Sequence, residues 1–348
     1  MLALKNLHRW VGLALALPVL VIALTGTLLI WSPEYIRATV PQAQTEIQND
    51  LISLSKAVDV ILQSHPADSV RFIEFNPNNL SLHKAYLSNK SYAWHSQDGS
   101  LVQTWSANER LEDWLLDLHH RFLLGNTVGL NLAGFSGLLL ILLTLVGIFL
   151  WWPARGSAAF IVRPKPWRYG LILRSHKNHG ILSTFPILML AITGVVLVYP
   201  SEAGNLLLGE PSRQAQRQQA LTQYDAQLTT LEKLATSLEV FPNASIKWVR
   251  PPNDGFDKFI VGVQQTHSWN RLGKSHVLFD QDVPTEKLDA LAQTPDKRLF
   301  DFLFPLHTAQ LPVWYRLALT VFGIMLLIVI VMGCSAWFKR SLKGGKQK

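Results

Sequence analysis

Cysteine is nearly absent: the 348-residue chain has one, Cys334. No disulfide can form within it, no C-x-x-C-H stretch offers a covalent haem attachment, and the thiolates of an iron–sulfur cluster are missing. No G-x-G-x-x-G follows a strand-like run, so a bound nicotinamide or flavin has no recognisable phosphate loop. Charge is missing from four long apolar runs, Val11 to Trp31, Leu130 to Trp152, Ile181 to Tyr199 and Leu317 to Phe338. Each is about twenty residues, long enough to cross a hydrocarbon core of ~30 Å as a helix. The first run is too long for the apolar core of a signal peptide and no small-x-small site closes it, so a retained anchor is expected.

Acidic residues are absent from segments 1–10, 153–180 and 339–348, whereas Lys5, Arg9, Arg155, Arg163, Lys165, Arg168, Arg174, Lys177, Lys339, Arg340, Lys343, Lys346 and Lys348 crowd there. The positive-inside rule then puts both termini and the central loop in the cytoplasm. All Asp and Glu fall in the two remaining segments, which are expected outside. The net charge of +8 is a mark of topology, and a nucleic-acid partner is not expected. Trp10, Trp31, Trp151, Trp152, Trp314 and Trp337 stand at helix ends, as an interfacial aromatic belt requires.

What the chain has is repetition. HRWVGLALALPVLVIALTG, from His8, and HKNHGILSTFPILMLAITG, from His176, align without a gap. They share histidine, glycine (Gly12, Gly180), proline (Pro18, Pro186) and a closing Ala-x-Thr-Gly (Ala23 to Gly26, Ala191 to Gly194). Each is followed by an external segment and a second apolar helix preceded by Leu-His (Leu118-His119, Leu306-His307), with glycines ten apart at Gly137 and Gly147 and at Gly323 and Gly333. The expected architecture is an α-helical membrane protein: a four-helix bundle built from a duplicated helix–external domain–helix unit, with two small α+β external domains. The boundaries are helix 1 at 1–31, external domain at 32–117, helix 2 at 118–153, inner loop at 154–174, helix 3 at 175–200, second external domain at 201–302, helix 4 at 303–338 and tail at 339–348. Two copies in one orientation imply a pseudo-two-fold axis along the membrane normal.

In each external segment a helix (Leu54 to Gln63; Leu228 to Leu238) precedes alternating strand-like runs. The first set is Val70 to Phe75, Lys84 to His95 and, after a turn at Gln97-Asp98-Gly99, LVQTW; the second is SIKWVR, KFIVGVQQ and SHVLFD. Ala203 to Tyr224 is polar and Gln-rich.

Of eleven histidines, His65, His83, His95, His267 and His276 lie in the external segments and are expected as solvated surface groups. The other six stand at helix ends, His8, His176 and His179 inside and His119, His120 and His307 outside. The repeat pairs His8 with His176 and His119 with His307, each pair at one depth and facing the axis. Two opposed imidazoles are the axial ligands of one haem, whereas a bare metal ion wants three or four ligands and no carboxylate is near. Two pairs imply two b-type haems. His120 adjoins His119 and His179 follows His176 by one turn, so each is an alternative ligand; the repeat register favours His119 and His176. Gly12, Gly180, Gly137 and Gly323 are expected to make room for the rings. Arg9 and Lys177 stand beside the inner pair and Arg121 and Arg316 at the outer end, as partners for propionates or as snorkelling interfacial groups.

The Leu-His-Arg-Trp-x-Gly start, the Leu-His-x-x-x-x-x-Gly opening of helix 2, its Leu-Trp-Trp-Pro end and the Pro-Leu-His-Thr of helix 4 resemble the PepSY-associated transmembrane family, over essentially the whole chain. The external segments resemble PepSY-like modules. The family's usual Leu-His-Thr-Gly is Leu-His-Thr-Ala here (Ala309), and the Arg-Trp after the helix 3 histidine is Lys-Asn; neither change removes a ligand. The resemblance implies a bacterial inner-membrane protein with two periplasmic domains and two haem b groups, ligated by His8, His119, His176 and His307, that reduces a ferric siderophore or other ferric chelate on the periplasmic side. A quinol or a cytoplasmic flavoprotein would donate the electrons. Two alternatives stand beside it: a membrane-anchored PepSY binding or regulatory protein, akin to protease inhibitors and without redox activity, and an iron or chelate transporter, for which no intramembrane carboxylate marks a cation path.

Overall fold

The computed structural model describes residues 1–154, 161, 163–208, 219–221, 227–308 and 310–344. Arg155, Ala309, Lys346, Lys348 and much of the Ala203 to Tyr224 stretch lie outside the described residues. The chain forms two compact units, one of residues 1–30, 114–199 and 307–348, the other of residues 31–113 and 200–306.

The first unit is a helical membrane unit. Its long helices are α1 (Leu2–Leu29), α5 (Leu130–Trp151) and α11 (Val313–Gly344), all apolar enough to cross a bilayer. Short helices lead into two of them. One, α4 (Leu111–Arg121), is joined to α5 by a left-handed turn at Phe122 and Leu123 and a π-turn, Gly125–Gly129. The other, α10 (Pro295–His307), precedes α11 and falls within the second unit up to Leu306.

The third apolar run differs from the straight helix expected. It is a pair, α6 (Tyr169–Leu182) and α7 (Thr184–Val198), bent by 61° at Ser183, and the two together are long and apolar enough for one broken span. Pro186 removes the N–H that would reach the Leu182 carbonyl and so permits a bend. Pro18 at the corresponding place leaves α1 unbroken, so packing decides. The N-terminal half, α6, lies on α11, while α7 lies on α5; α1 touches both partners without bending. Leu15, Val19, Ala23, Ile187 and Leu326 form the small core between these helices. Their outer faces stay apolar and exposed, with Leu17 at 69 % and Phe185 at 70 %. An apolar exterior around a thin core is what a lipid solvent selects, so the bilayer is the partner of this unit.

Gly137 and Gly323 serve helix packing, a correction to their expected role beside a ligand. A Cβ on Gly137 would lie 2.8 Å from Val195, and one on Gly323 would collide with Thr27. Gly12 and Gly180 do face open space.

The second unit holds α2 (Ser32–Thr39), α3 (Leu51–Ser64), α8 (Pro200–Leu208), α9 (Thr230–Val240) and one antiparallel sheet. Its strands are β1 (Val70–Phe75), β2 (His83–Leu87), β3 (Ser91–His95), β4 (Leu101–Ser106), β5 (Gln219–Ala220), β6 (Ser245–Arg250), β7 (Phe259–Gln264), β8 (Ser275–Asp280) and β9 (Val283–Leu288). The order is β4-β3-β2-β1-β6-β7-β8-β9-β5. Each half is thus a helix followed by a four-stranded meander. The halves were expected as two small domains; they share one sheet, because β1 and β6 pair antiparallel (Ile73 with Val249, Glu74 with Trp248). That pairing removes two open edges at once. Asp50 caps α3, and Thr229 with Glu232 forms a capping box on α9. Both helices pack on each other and supply Leu54, Val58, Ile61 and Leu234 to a core with Ile73, Val249, Val261 and Phe279.

Candidate functional site

The first unit brings its histidines together in two pairs. The ring centres of His8 (α1) and His176 (α6) are 6.4 Å apart, and those of His119 (α4) and His307 (α10) are 6.1 Å apart. His119 bonds to Ile22 and Thr25 near the far end of α1, so the pairs are separated by roughly 25 Å along that helix at 1.5 Å per residue. His120 stands 5.6 Å from His119, is exposed, and is not the ring that meets His307 in this pairing. His179 is buried on α6, one turn beyond the ring that meets His8.

Every paired ring rests on a glycine of another helix. A Cβ on Gly26 would lie 2.8 Å from His119 Cε1, and one on Gly194 would lie 3.2 Å from His307 Cε1. Gly147 and Gly333 stand in the same relation to His8 and His176, at 3.4 and 3.1 Å. These are the last glycines of the repeated Ala-x-Thr-Gly and the second members of the glycine pairs spaced ten apart in α5 and α11. Sequence reasoning placed the clearance on the neighbouring glycines. The repeat contained the right ones, but only the helix pairing shows which of them meets an imidazole.

Hydrogen bonds fix the rings. His176 Nδ1 donates to the Val329 carbonyl at 2.9 Å, and His119 Nδ1 to the Ile22 carbonyl at 3.0 Å. His307 Nδ1 meets Thr193 Oγ1 at 2.9 Å. His8 Nδ1 is buried with no partner in hydrogen-bonding geometry among the described residues. A ring that donates through Nδ1 keeps its lone pair on Nε2, the tautomer of a metal ligand. No three His, Cys, Asp or Glu side chains converge on a metal position among the described residues. Each pair therefore offers two nitrogens and no more, which suits a metal whose other ligands come from a macrocycle. Iron held about 2 Å from each of two opposed imidazole nitrogens puts the ring centres about 6 Å apart, the separation both pairs show. The residues fit haem.

The arginines are placed as follows. Arg121 pairs with Asp117 and donates to Asn126 at 2.7 Å. Arg316 donates to the Ile30 carbonyl at 2.6 Å, tying α11 to the end of α1. Arg9 lies 5.1 Å over the Trp10 ring, and its buried Nε makes no hydrogen bond among the described residues.

Of the five histidines expected in water, His267 is exposed, whereas His83 and His95 depart from expectation. His83 and His95 are fully buried, paired across β2 and β3, and His95 Nε2 is 3.0 Å from His65 Nε2. Both were expected in water; strand pairing over eleven intervening residues turns them inward instead, His83 against Phe75 at 5.2 Å. His95 Nδ1 bonds to the Gly99 carbonyl, whereas neither nitrogen of His83 reaches good hydrogen-bond geometry among the described residues, its polar neighbour being the Gln97 backbone. Burial pushes both imidazoles down to about 4. They stay neutral in the fold but charge in the unfolded chain near pH 6.5. Stability of this unit is therefore full above about pH 6.5 and declines as pH falls toward 4. His83→Leu removes a buried polar group that lacks a well-formed hydrogen bond, a gain of about 1 kcal/mol. Thermal melts should show a higher midpoint for His83→Leu at pH 7.5 and a smaller loss between pH 7.5 and 5. A lower midpoint at both values would contradict this account of the site.

Among curated proteins none matches the chain significantly. The family model of the PepSY-associated TM region matches residues 5–340, nearly the whole chain and all four paired histidines, and the chain belongs to that family.

Proposed function

We propose that this protein is a di-haem b electron carrier of the bacterial inner membrane that reduces a ferric siderophore or another ferric chelate in the periplasm and so releases Fe(II). The observation that carries the reading is the pair of imidazole pairs, spaced at 6.4 and 6.1 Å and set near opposite ends of α1. Haem, when bound, supplies one-electron redox chemistry. The chain supplies the rest. His8 with His176 would hold the inner group and His119 with His307 the outer one. Gly147, Gly333, Gly26 and Gly194 give the imidazoles room. The apolar helices keep water out and set the local dielectric.

The repeated sequence supports a four-helix bundle in which α6 and α7 make one span. The basic segments support inner termini and an inner loop. The two halves of the sheet unit correspond to the two PepSY-like modules. With no nucleotide loop in the chain, the electron donor is a quinol in the membrane or a cytoplasmic flavoprotein. An electron moving outward gains about 2.3 kcal/mol per 100 mV of membrane potential, which favours this direction. A membrane-anchored PepSY binding protein is the second reading, and the second unit, whose broad sheet shares a core with α3 and α9, favours it. An anchor, however, gives no reason for four histidines in two pairs, each against a glycine.

Anaerobic mixing of the dithionite-reduced protein, freed of excess dithionite, with a ferric hydroxamate tests the activity. The reduced haem spectrum should disappear as about one Fe(II) per haem is trapped by a ferrous-specific chelator. A spectrum that stays reduced with every ferric chelate offered would discard the reductase and leave only a carrier or an anchor.

A further inference from the structure

The Thr-Gly that closes each copy of the repeated helix has a threonine which the ligand set above does not use. Thr193 Oγ1 donates its own proton back along α7, to the Met189 carbonyl at 2.8 Å, and Thr25 Oγ1 does the same on α1, to Val21 at 2.7 Å. A hydroxyl with its proton spent in this way presents lone pairs to its other neighbour. That neighbour is His307 Nδ1 at 2.9 Å for Thr193, and His119 Nδ1 at 3.2 Å for Thr25. Both threonines are buried. The adjacent residue in each case is the glycine on which the same ring rests. Threonine orients the ring and glycine clears it.

We infer that Thr193 and Thr25 are positioning residues of the outer pair, which hold His307 and His119 in the Nδ1–H tautomer and lower the potential of the outer haem relative to the same haem without them. The inference rests on the haem reading. A hydrogen bond donated from Nδ1 makes the imidazole a stronger donor to the metal and favours the ferric state. The inner pair has no such hydroxyls among the described residues: His176 uses the Val329 carbonyl, and the polar neighbour of His8 is the backbone of Leu143. The two threonines are not equivalent either. His119 keeps the Ile22 carbonyl at 3.0 Å when Thr25 is lost, whereas Thr193 is the partner of His307.

Redox titration of the purified full-length protein, followed by visible spectra, separates the two haems. Thr193→Val, which keeps the shape and drops the hydroxyl, should raise one midpoint by roughly a tenfold change in the ferric–ferrous equilibrium, about 59 mV for one electron. The other midpoint should stay in place. Thr25→Val should move the same component by less, and Thr193→Ser should restore the wild-type value. Loss of a single haem from Thr193→Val, with the serine variant retaining both, supports the same role. Two haems bound with both midpoints unmoved in Thr193→Val would overturn it. A wild-type protein that binds no haem would instead remove the reading on which it rests.

Discussion

His307→Ala should lower ferric-chelate reduction roughly a hundredfold or more while one haem remains bound. Loss of a group that merely orients a metal ligand costs about 10–100-fold in affinity or activity, and loss of the ligand itself costs at least as much. His307 sits at the end of α10, where its ring meets His119 at 6.1 Å, and the inner pair lies some 25 Å away by helix rise. The inner ligands and their glycines do not touch it. The variant should therefore keep a b-type spectrum of about half the wild-type amplitude, accept electrons at the inner haem, and fail to pass them outward. His8→Ala should give the mirror result, an outer haem that reacts with chelate once reduced chemically but is not filled by the membrane donor. Measured as haem content per chain alongside the rate of Fe(II) trapping, the two variants must differ in this way. Equal loss of both haems in both variants would mean that the pairs are not independent sites.

The second large effect is predicted at the glycines, and it is graded. Alanine at Gly26 brings a Cβ to 2.8 Å from His119 Cε1, a distance at which the ring must shift. At Gly333 and Gly194 the corresponding distances are 3.1 and 3.2 Å, tight but absorbable by small movements, and at Gly147 it is 3.4 Å, ordinary contact. Alanine stabilises a helix relative to glycine by about 1 kcal/mol, so none of these changes should weaken the fold through propensity. Haem retention should fall most in Gly26→Ala and least in Gly147→Ala. Leucine at Gly26 or Gly194 should empty the outer site as completely as loss of its histidine, with one haem left. Gly170→Ala in α6, where a Cβ meets nothing within 4 Å, is the matched control. Titration of haem into apo-protein gives the order directly, and a flat order across the four positions would contradict the proposed seats.

Much of this arrangement was legible in the sequence, since a gapless repeat puts His8 and His176 at one depth. The strands Val70–Phe75, Ser245–Arg250 and Ser275–Asp280 were also legible from alternation. Less visible was anything set by partners distant in sequence. Lys84 to His95 reads as one alternating run, yet it turns at Asn89 and Lys90 into β2 and β3, because Lys90 adopts a positive φ of 63°. β9 carries Pro284, which argues against a strand in isolation; its pairing with β8 overrides that signal. The seam between β1 and β6 joins segments about 175 residues apart, and no local pattern announces it. The bend at Ser183 likewise follows from α6 and α7 having different neighbours, which an apolar run cannot reveal.

Haem content of the purified wild-type protein tests the central claim most directly. Pyridine haemochrome analysis, with a dithionite-reduced minus oxidised spectrum, should give two b-type haems per chain after expression with ample haem. A colourless protein that takes up no added haem would contradict the account, and would leave the paired histidines as packing groups in a membrane-anchored binding protein.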